Sequence, residues 1–145
     1  MSQRKRPEHL ASSLRQAVMR TSRRLRFEAT SELATPAQYT VLAWLDNGTA
    51  TVSQLAEAEH VRTPSMTRTI NGMERAGLVR RSQHPEDGRQ VLVGLTDAGR
   101  AVLRDTRRRR TEWLERHLAR LAPQQRETLR EAAEILLSLS ESERN

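Results

Sequence analysis

The sequence of 145 residues predicts a mainly α-helical protein with one small β-hairpin. Three observations support this fold class. Apolar residues recur at helical spacing through most of the chain, and capping motifs mark the starts of successive helices. Val91, Val93 and Leu95 follow the period of two that is typical of a strand. Only 3% of the residues are aromatic, so we expect a mostly aliphatic core.

The first two helices are marked by apolar spacing and by capping residues. Apolar residues recur on one helical face at about residues 8–29, which predicts an amphipathic helix there. A second helix is predicted at about 35–46. It begins at Thr35-Pro36, where Thr suits the N-cap and Pro the first turn, and Gln38 can complete a capping box. Asn47-Gly48 is a stop signal.

Two short helices follow, joined by a tight turn. Thr51 and Gln54 repeat the capping-box pattern and open the first of them. Thr63-Pro64 is expected to cap the second, which should end at Gly77. The predicted buried face of this second helix consists of Met66, Ile70 and Met73.

A hairpin and two long helices complete the predicted chain. Residues 78–83 and 91–95 are the expected strands, and the turn formers Pro-Glu-Asp-Gly lie between them at 85–88. Thr96-Asp97 should start a helix that runs to about Leu121, and Pro123 should mark the last helix. The predicted order is four helices, a hairpin and two helices.

The charge distribution favours a polyanionic partner. The net charge is +7, and 24 of the 25 basic residues are Arg. Residues 60–84 hold five Arg against the single acid Glu74, a local charge of +4. A local basic excess of this kind points first to nucleic acid and second to anionic membrane surfaces.

Several classes of function are disfavoured by composition. The absence of cysteine excludes disulfide scaffolds, thiol nucleophiles and cysteine-ligated metal sites. No Gly-rich phosphate loop or nucleophile elbow is present, and the four His are scattered, so we expect neither an enzyme nor a cofactor nor a metal site. No apolar run reaches the roughly 18 residues of a membrane span and no secretory signal is visible, so a cytoplasmic protein with no membrane partner is expected.

Two short capped helices followed by a hairpin predict a winged helix-turn-helix. The second helix of such a pair can enter the major groove of DNA and present side chains to base edges. If the Met and Ile face is buried, a set of short polar groups and one arginine remains outside. These residues are Thr63, Ser65, Thr67, Arg68 and Asn71. Arg89 lies beside the hairpin tip, where it could reach a minor groove or a phosphate.

The stretches TPAQYTVLAWL, VSQLAEAEHVRTPSMTRTINGMERAGLVRR and HPEDGRQVLVGLTDAGR resemble regulators of the MarR (multiple antibiotic resistance) family. The similarity covers about residues 8–141 in element order and about 36–100 in motif detail. It implies a transcriptional regulator, most simply a repressor, whose first and last helices form a homodimer on a pseudo-palindromic operator. The implied organisation is 1–34 and 100–145 as dimerisation regions and 35–99 as the winged DNA-binding domain.

The resemblance also assigns site residues. It implies base contacts by Ser65, Thr67 and Arg68, and a wing arginine, Arg89, oriented by Asp87. Gly88 stands where many members have a second Arg, which weakens the expected minor-groove contact. The full set of expected DNA-binding residues is Thr35, Gln38, Ser53, Gln54, Arg62, Thr63, Ser65, Thr67, Arg68, Asn71, Arg75, Asp87 and Arg89.

Small aromatic or phenolic effectors bind members of this family near the first, second and fifth helices. The chemically suitable residues here are Arg15, Met19, Tyr39 and Trp113. The competing interpretation of Tyr39 and Trp113 is packing in the core or in an interface.

Two other functions remain open at this point. One is a nucleic-acid-binding or architectural protein with the same fold and no sequence preference, and the other is an interaction protein that uses the winged fold as a scaffold. The run Arg107–Arg110 is expected to be solvated, because four consecutive residues spread around a helix. Glu112 and Glu115 are placed to pair with some members of this run.

Overall fold

The computed structural model describes residues 7–28 and 33–141, and it confirms the predicted order of helices and hairpin. The helices are α1 (Pro7–Glu28), α2 (Pro36–Leu45), α3 (Val52–Ala58), α4 (Thr63–Arg75), α5 (Asp97–Leu118) and α6 (Pro123–Glu141). The strands are β1 (Ala50–Thr51), β2 (Val79–Gln83) and β3 (Val91–Leu95). We call β2, β3 and the turn between them the wing. The fifth helix ends about three residues earlier than predicted.

The sheet has one strand more than the sequence analysis predicted. It is antiparallel with the order β1-β3-β2, so β3 is central. The pairing of β1 with β3 joins Ala50 to Val93 and Thr51 to Leu92. A strand of two residues is too short to show a period of two, and its partner is about 40 residues away in the chain, which is why no local pattern revealed it.

The core of the winged region is aliphatic, as predicted. It is built from α2, α3, α4, both long strands and the first half of α5. The buried side chains are Val41, Leu42, Leu45, Leu55, Ala56, Met66, Ile70, Met73, Leu78, Val79, Val93, Leu95, Val102 and Leu103. One buried polar side chain, Thr106, donates its hydroxyl proton to the Val102 carbonyl at 2.8 Å, so its burial leaves no unmade donor.

The start of α5 packs against Gly77 and Leu78, which lie between α4 and β2. The Thr96 hydroxyl donates to the Gly77 carbonyl at 2.5 Å and accepts the Gly99 N–H at 3.0 Å, so it caps the helix. Gly99 is buried, and a Cβ there would lie 2.1 Å from the Leu78 carbonyl oxygen. Only glycine therefore allows this approach of α5 to Leu78.

The chain divides into two compact units, one that ends at Arg110 and one that begins at Thr111. In the first unit α1 leaves several apolar side chains in solvent, among them Leu10, Val18 and Met19. In the second unit α6 does the same with Leu129, Ile135 and Leu137. None of the described helices combines the length and the apolar character that crossing a membrane requires.

Candidate nucleic-acid interface

The two faces of α4 are separated as the sequence predicted. Met66, Ile70 and Met73 are all at most 3% exposed and fix the helix on the core. The opposite face carries Thr63, Ser65, Arg68 and Asn71, which are exposed, and Thr67, which is half-buried. The helix can therefore present these polar groups to another molecule while its inner face stays packed.

The expected cap at Thr63-Pro64 is wrong in its register. The N-cap of α4 is Arg62, which has extended backbone angles and makes no side-chain capping bond. Thr63 and Pro64 are the first residues of the helix itself. Because Pro lacks an N–H and has a helical φ, it stabilises the first turn without a capping hydroxyl. The Ser65 and Met66 N–H groups donate to the Arg62 carbonyl at 2.9 and 3.1 Å and Pro64 has no N–H, so this end of α4 offers few free N–H groups to a phosphate.

The polar side chains on the outer face of α4 differ in which of their donors and acceptors are already used within the protein. The Thr67 hydroxyl donates to the Thr63 carbonyl at 2.9 Å, so its oxygen is left as an acceptor. The Ser65 hydroxyl and the Arg68 guanidinium make no hydrogen bond with any residue that the structure describes. Ser65 can donate or accept, and Arg68 can offer the paired donors that guanine O6 and N7 accept.

Asn71 has a partner that the sequence analysis did not anticipate. Its Oδ1 accepts a hydrogen bond of 2.7 Å from Nη2 of Arg81, whose Nη1 also bonds to Glu74. This network ties β2 to α4 and leaves Asn71 its two amide N–H donors and one lone pair on Oδ1 for DNA. The alternation of the strand is a signal that could have revealed it, because Arg81 shares a face with the buried Val79.

Both predicted capping boxes are confirmed. The Gln38 N–H donates to the Thr35 hydroxyl at 3.2 Å, and the Thr35 N–H donates to Gln38 Oε1 at 2.9 Å. Thr51 and Gln54 make the same exchange at 3.2 and 2.8 Å. These four side chains therefore organise the starts of α2 and α3, and the amide N–H groups of the two glutamines stay available to another partner.

The wing turn is held by side-chain to backbone bonds. His84 Nδ1 accepts the N–H groups of Glu86 and Asp87, both at 3.2 Å. Asp87 Oδ1 in turn accepts the Arg89 backbone N–H at 3.1 Å. Within the described wing turn the Asp87 and Arg89 side chains form no ion pair with each other, and Asp87 contacts Arg89 through this backbone bond.

A surface cleft of about 550 Å³ lies between the start of α3 and the wing. It is lined by Ser53 and Gln54 from α3 and by Arg89 from the wing. Residues 36 positions apart in the chain, Ser53 and Arg89, are thus brought to one surface feature by the pairing of β1 with β3.

Of the six arginines at positions 62–89, Arg81 alone is bonded to other side chains of the described residues. Arg62, Arg68, Arg75 and Arg89 are exposed, and none of them has an ion pair with a described residue. Arg75 donates its Nε only to the Asn71 carbonyl, at 3.4 Å. These four guanidiniums, all among the expected DNA-binding residues, keep their charge available to an external anion.

The Arg107–Arg110 run has partners that the sequence analysis did not name. Arg107 Nη1 bonds to Asp46 Oδ2 at 2.7 Å, and Asp46 and then Tyr39 raise the pKa of Arg107 above its ordinary value against the opposing effect of burial. Arg108 and Arg109 both bond to Asp105. The Arg110 guanidinium lies 3.9 Å from the centre of the Tyr39 ring. Within the first unit the run therefore joins α5 to α2 as well as facing solvent.

The expected effector residues lie on three helices, α1, α2 and α5. Arg15 and Met19 are exposed on α1, and Tyr39 is half-buried under Arg110. The cavity beside Tyr39 measures about 10 Å³, which is too small for an aromatic ring. Trp113 belongs to the second unit, where its ring stacks on that of His117 with 3.9 Å between centroids.

The family model described as "MarR family" matches residues 34–91 of this chain. The HTH-type transcriptional regulator Mb0904 of Mycobacterium bovis is 46% identical over 131 residues, which is 90% of this chain and 92% of that protein. An HTH-type transcriptional regulator of Mycobacterium leprae is 44% identical over the same shares of the two chains.

Solved structures agree in fold. A transcriptional regulator protein of Pseudomonas aeruginosa is 34% identical with a TM-score of 0.81, and the match covers 94% of this chain and 96% of that chain. A mutant of MepR from Staphylococcus aureus, solved bound to an oligodeoxyribonucleotide, is 18% identical with a TM-score of 0.67 over 89% of this chain and 96% of that chain. From this similarity, and from the winged helix-turn-helix described above, the chain belongs to the MarR family of HTH-type transcriptional regulators.

Proposed function

We propose that this regulator binds double-stranded DNA in a sequence-specific manner as a homodimer, acts most simply as a repressor, and catalyses no reaction. The observation that carries this proposal is the outer face of α4, where Ser65, Thr67 and Arg68 are presented together and Arg68 has no partner within the described structure. Short hydroxyl groups and one arginine are the side chains that discriminate base edges in the major groove.

Contacts to the phosphate backbone would supply most of the affinity. The candidates are the exposed Arg62 and Arg75 on either end of α4 and the cleft that holds Ser53, Gln54 and Arg89. Arg89 at the wing would follow the backbone into the neighbouring minor groove. The MepR structure from Staphylococcus aureus contains an oligodeoxyribonucleotide, which supports DNA as the ligand of this fold.

The second part of the proposal is the dimer. The apolar side chains that α1 and α6 expose, such as Leu10 and Ile135, would be buried against a second copy of the chain. Segments 1–34 and 100–145 then act as the dimerisation region, and 35–99 as the DNA-binding domain. A two-fold dimer would place two copies of α4 on half-sites about one helical turn apart, roughly 10 base pairs.

Selection of bound sequences from a randomised duplex pool at about 150 mM salt tests the proposal, because non-specific binding is weak at that ionic strength. A two-fold symmetric motif with half-sites about one turn apart is the expected result. Folded protein that enriches no motif would contradict sequence-specific regulation and would favour an architectural role with the same fold.

The third part of the proposal is release by a small aromatic or phenolic effector. Such a ligand would bind near Arg15, Met19 and Tyr39 of the first unit and favour a dimer whose α4 helices are wrongly spaced for DNA. Titration of the protein–operator complex with aromatic acids and phenols tests this part, and an operator affinity that none of them alters would contradict it.

A further inference from the structure

A cavity of about 380 Å³ lies on the face of the sheet away from the Arg81 network. Arg80 and Ser82 of β2 line it, whereas Arg81 between them contacts α4 through Asn71 and Glu74. Alternate residues of a strand project to opposite faces, so the cavity and the α4 interface lie on different sides of β2.

Two arginines are among the residues that line this cavity. Arg80 approaches from β2 and Arg100 from the first turns of α5, and both line the same space. Both are exposed, and neither guanidinium makes a hydrogen bond or an ion pair with any residue in the described ranges. A guanidinium presents fixed pairs of N–H donors that match the oxygens of a carboxylate or a phosphate.

The acid in the lining does not neutralise these arginines. Asp46 borders the cavity, but its Oδ2 is bonded to Arg107 Nη1 at 2.7 Å. Its charge is therefore compensated by a third arginine, and the positive charge of Arg80 and Arg100 remains in excess. Thr49 and Ser82, which both carry a hydroxyl group, also line the space.

The backbone contributes to the shape of this cavity. Gly94 of β3 pairs with Arg80 of β2 and lies in the cavity wall. A Cβ at Gly94 would be 3.1 Å from Thr49 Cγ2, so the glycine allows the segment before β1 to lie close to the sheet. The resulting volume is within the range of small-ligand pockets, which begins at roughly 300 Å³.

We propose that this cavity binds a small organic anion with one carboxylate or phosphate group, which Arg80 and Arg100 hold between them. The site is separate from the expected effector residues and from the outer face of α4. The proposal concerns ligand binding by this chain and does not rest on the DNA-binding function.

Calorimetric titration of the full chain at constant ionic strength, with inorganic phosphate, phosphoglycolate and benzoate as probes, tests this proposal. We expect saturable binding of at least one probe. Arg80→Gln and Arg100→Gln should each weaken it by about 10- to 100-fold, the effect of one lost charge-assisted hydrogen bond. Ser82→Leu, which fills the space but keeps both charges, should weaken the binding of the larger probes.

Arg104→Gln is the matched control, because Arg104 is exposed on the same helix as Arg100 and does not line the cavity. It should leave the binding of every probe unchanged. Equal weakening by Arg104→Gln would show diffuse attraction by net charge and overturn the proposal, as would the absence of saturable binding by all three probes. If Arg80→Gln and Arg100→Gln leave probe binding intact but weaken duplex DNA binding about tenfold, the two arginines contact the DNA backbone and the anion site is wrong.

Discussion

Arg68 and Arg81 show how the surroundings of a guanidinium decide what it can do. Arg81 is held by Asn71 and Glu74, so it stabilises the approach of β2 to α4. Arg68 is exposed on the outer face of α4 and has no such bonds to described residues. A side chain that reads a base edge must reach it without breaking an existing contact, and Arg68 meets this condition.

We predict that Arg68→Ala weakens binding to the selected operator by about 10- to 100-fold, the loss of one bidentate contact with guanine. Discrimination at the contacted base pair should fall at the same time. Fluorescence anisotropy with the operator and with single-base variants measures both effects. Arg104→Ala removes the same charge from α5 and should change operator affinity far less. Equal weakening on all sequences by Arg68→Ala would instead indicate a phosphate contact.

A second prediction at this scale concerns Asp105. The hydrogen bond from Arg108 lowers the pKa of Asp105 below its ordinary value, against the opposing effect of desolvation and with the help of the charges of Arg109 and Arg108. A carboxyl with a lowered folded pKa stabilises the fold above its unfolded pKa, and this contribution is lost as the pH falls through the folded pKa. Asp105→Asn should therefore lower the urea midpoint slightly at neutral pH.

The difference between Asp105→Asn and the parent should shrink as the pH falls below the unfolded pKa of about 3.9, and it should disappear below the lowered folded pKa of Asp105. Urea unfolding at a series of pH values measures it. Glu115→Gln removes an exposed carboxylate from the same helix and should not reproduce this pattern. A difference that stays constant down to acidic pH would show that Arg108 and Arg109 do not act through the charge of Asp105.

Residue-level expectations succeeded where the signal was local. Met66, Ile70 and Met73 lie at helical spacing, and their burial is confirmed. The partners of Arg107 and Arg81 were not predictable in the same way, because Asp46 is 61 positions from Arg107 and Asn71 is 10 from Arg81. A contact of this kind depends on how elements pack and leaves no pattern in either segment alone.

The packing of α5 against Leu78 depends on Gly99, which has no side chain. Gly99 lies so close to the Leu78 carbonyl that a methyl group would overlap it, with the Cβ at 2.1 Å from the oxygen. Because the neighbour is backbone, it cannot rotate away. The helix would have to move, and with it the core contacts of Val102 and Leu103.

We therefore predict that Gly99→Ala lowers the free energy of unfolding by about 1–3 kcal/mol or more, the usual effect of overpacking. Gly88→Ala is the control, since nothing lies within 4 Å of a Cβ there and its φ is not positive. Urea unfolding followed by circular dichroism compares the two. If both substitutions have the same effect, the close approach of α5 to Leu78 does not limit stability.

Element boundaries were predictable where a side chain marks them. The capping boxes at Thr35 and Thr51 each use residues three apart, so the sequence alone locates the starts of α2 and α3. The predicted N-cap of α4 was one residue too late. The N-cap is Arg62, which has the backbone angles of a cap but no capping side chain that a sequence pattern could reveal. Strand β1 escaped prediction because its only mark is a pairing with β3.

At the scale of the whole molecule, the exposed apolar side chains of α1 and α6 are the main feature that the described chain leaves unexplained. Ile135 is 62% exposed and Leu10 is 66% exposed. We predict that Ile135→Glu shifts the protein from dimer to monomer, because a carboxylate would have to be desolvated in the interface.

Sedimentation equilibrium at several protein concentrations measures this shift. Gln124→Glu adds the same charge to an exposed polar position of α6 and should leave the dimer intact. A parent protein that remains a monomer at all concentrations would contradict the dimer and, with it, the two-fold operator. Because sedimentation measures dimerisation without DNA, a protein that does not dimerise can be distinguished from one whose Arg68 does not recognise a base.

Thr51 both pairs with Leu92 in the sheet and caps α3 through Gln54. The backbone hydrogen bonds between β1 and β3 therefore set the distance between α3 and the wing, and the residues at the wing tip take no part in this pairing. Turns of different length at 85–88 would be accommodated without moving Ser53 relative to the base of the wing. The fold would not accommodate a single residue inserted between Gly48 and Thr51. Such an insertion would shift the capping Thr51 away from Leu92, its partner in the sheet. We expect length variation among homologous chains to be frequent at the tip and rare before Thr51.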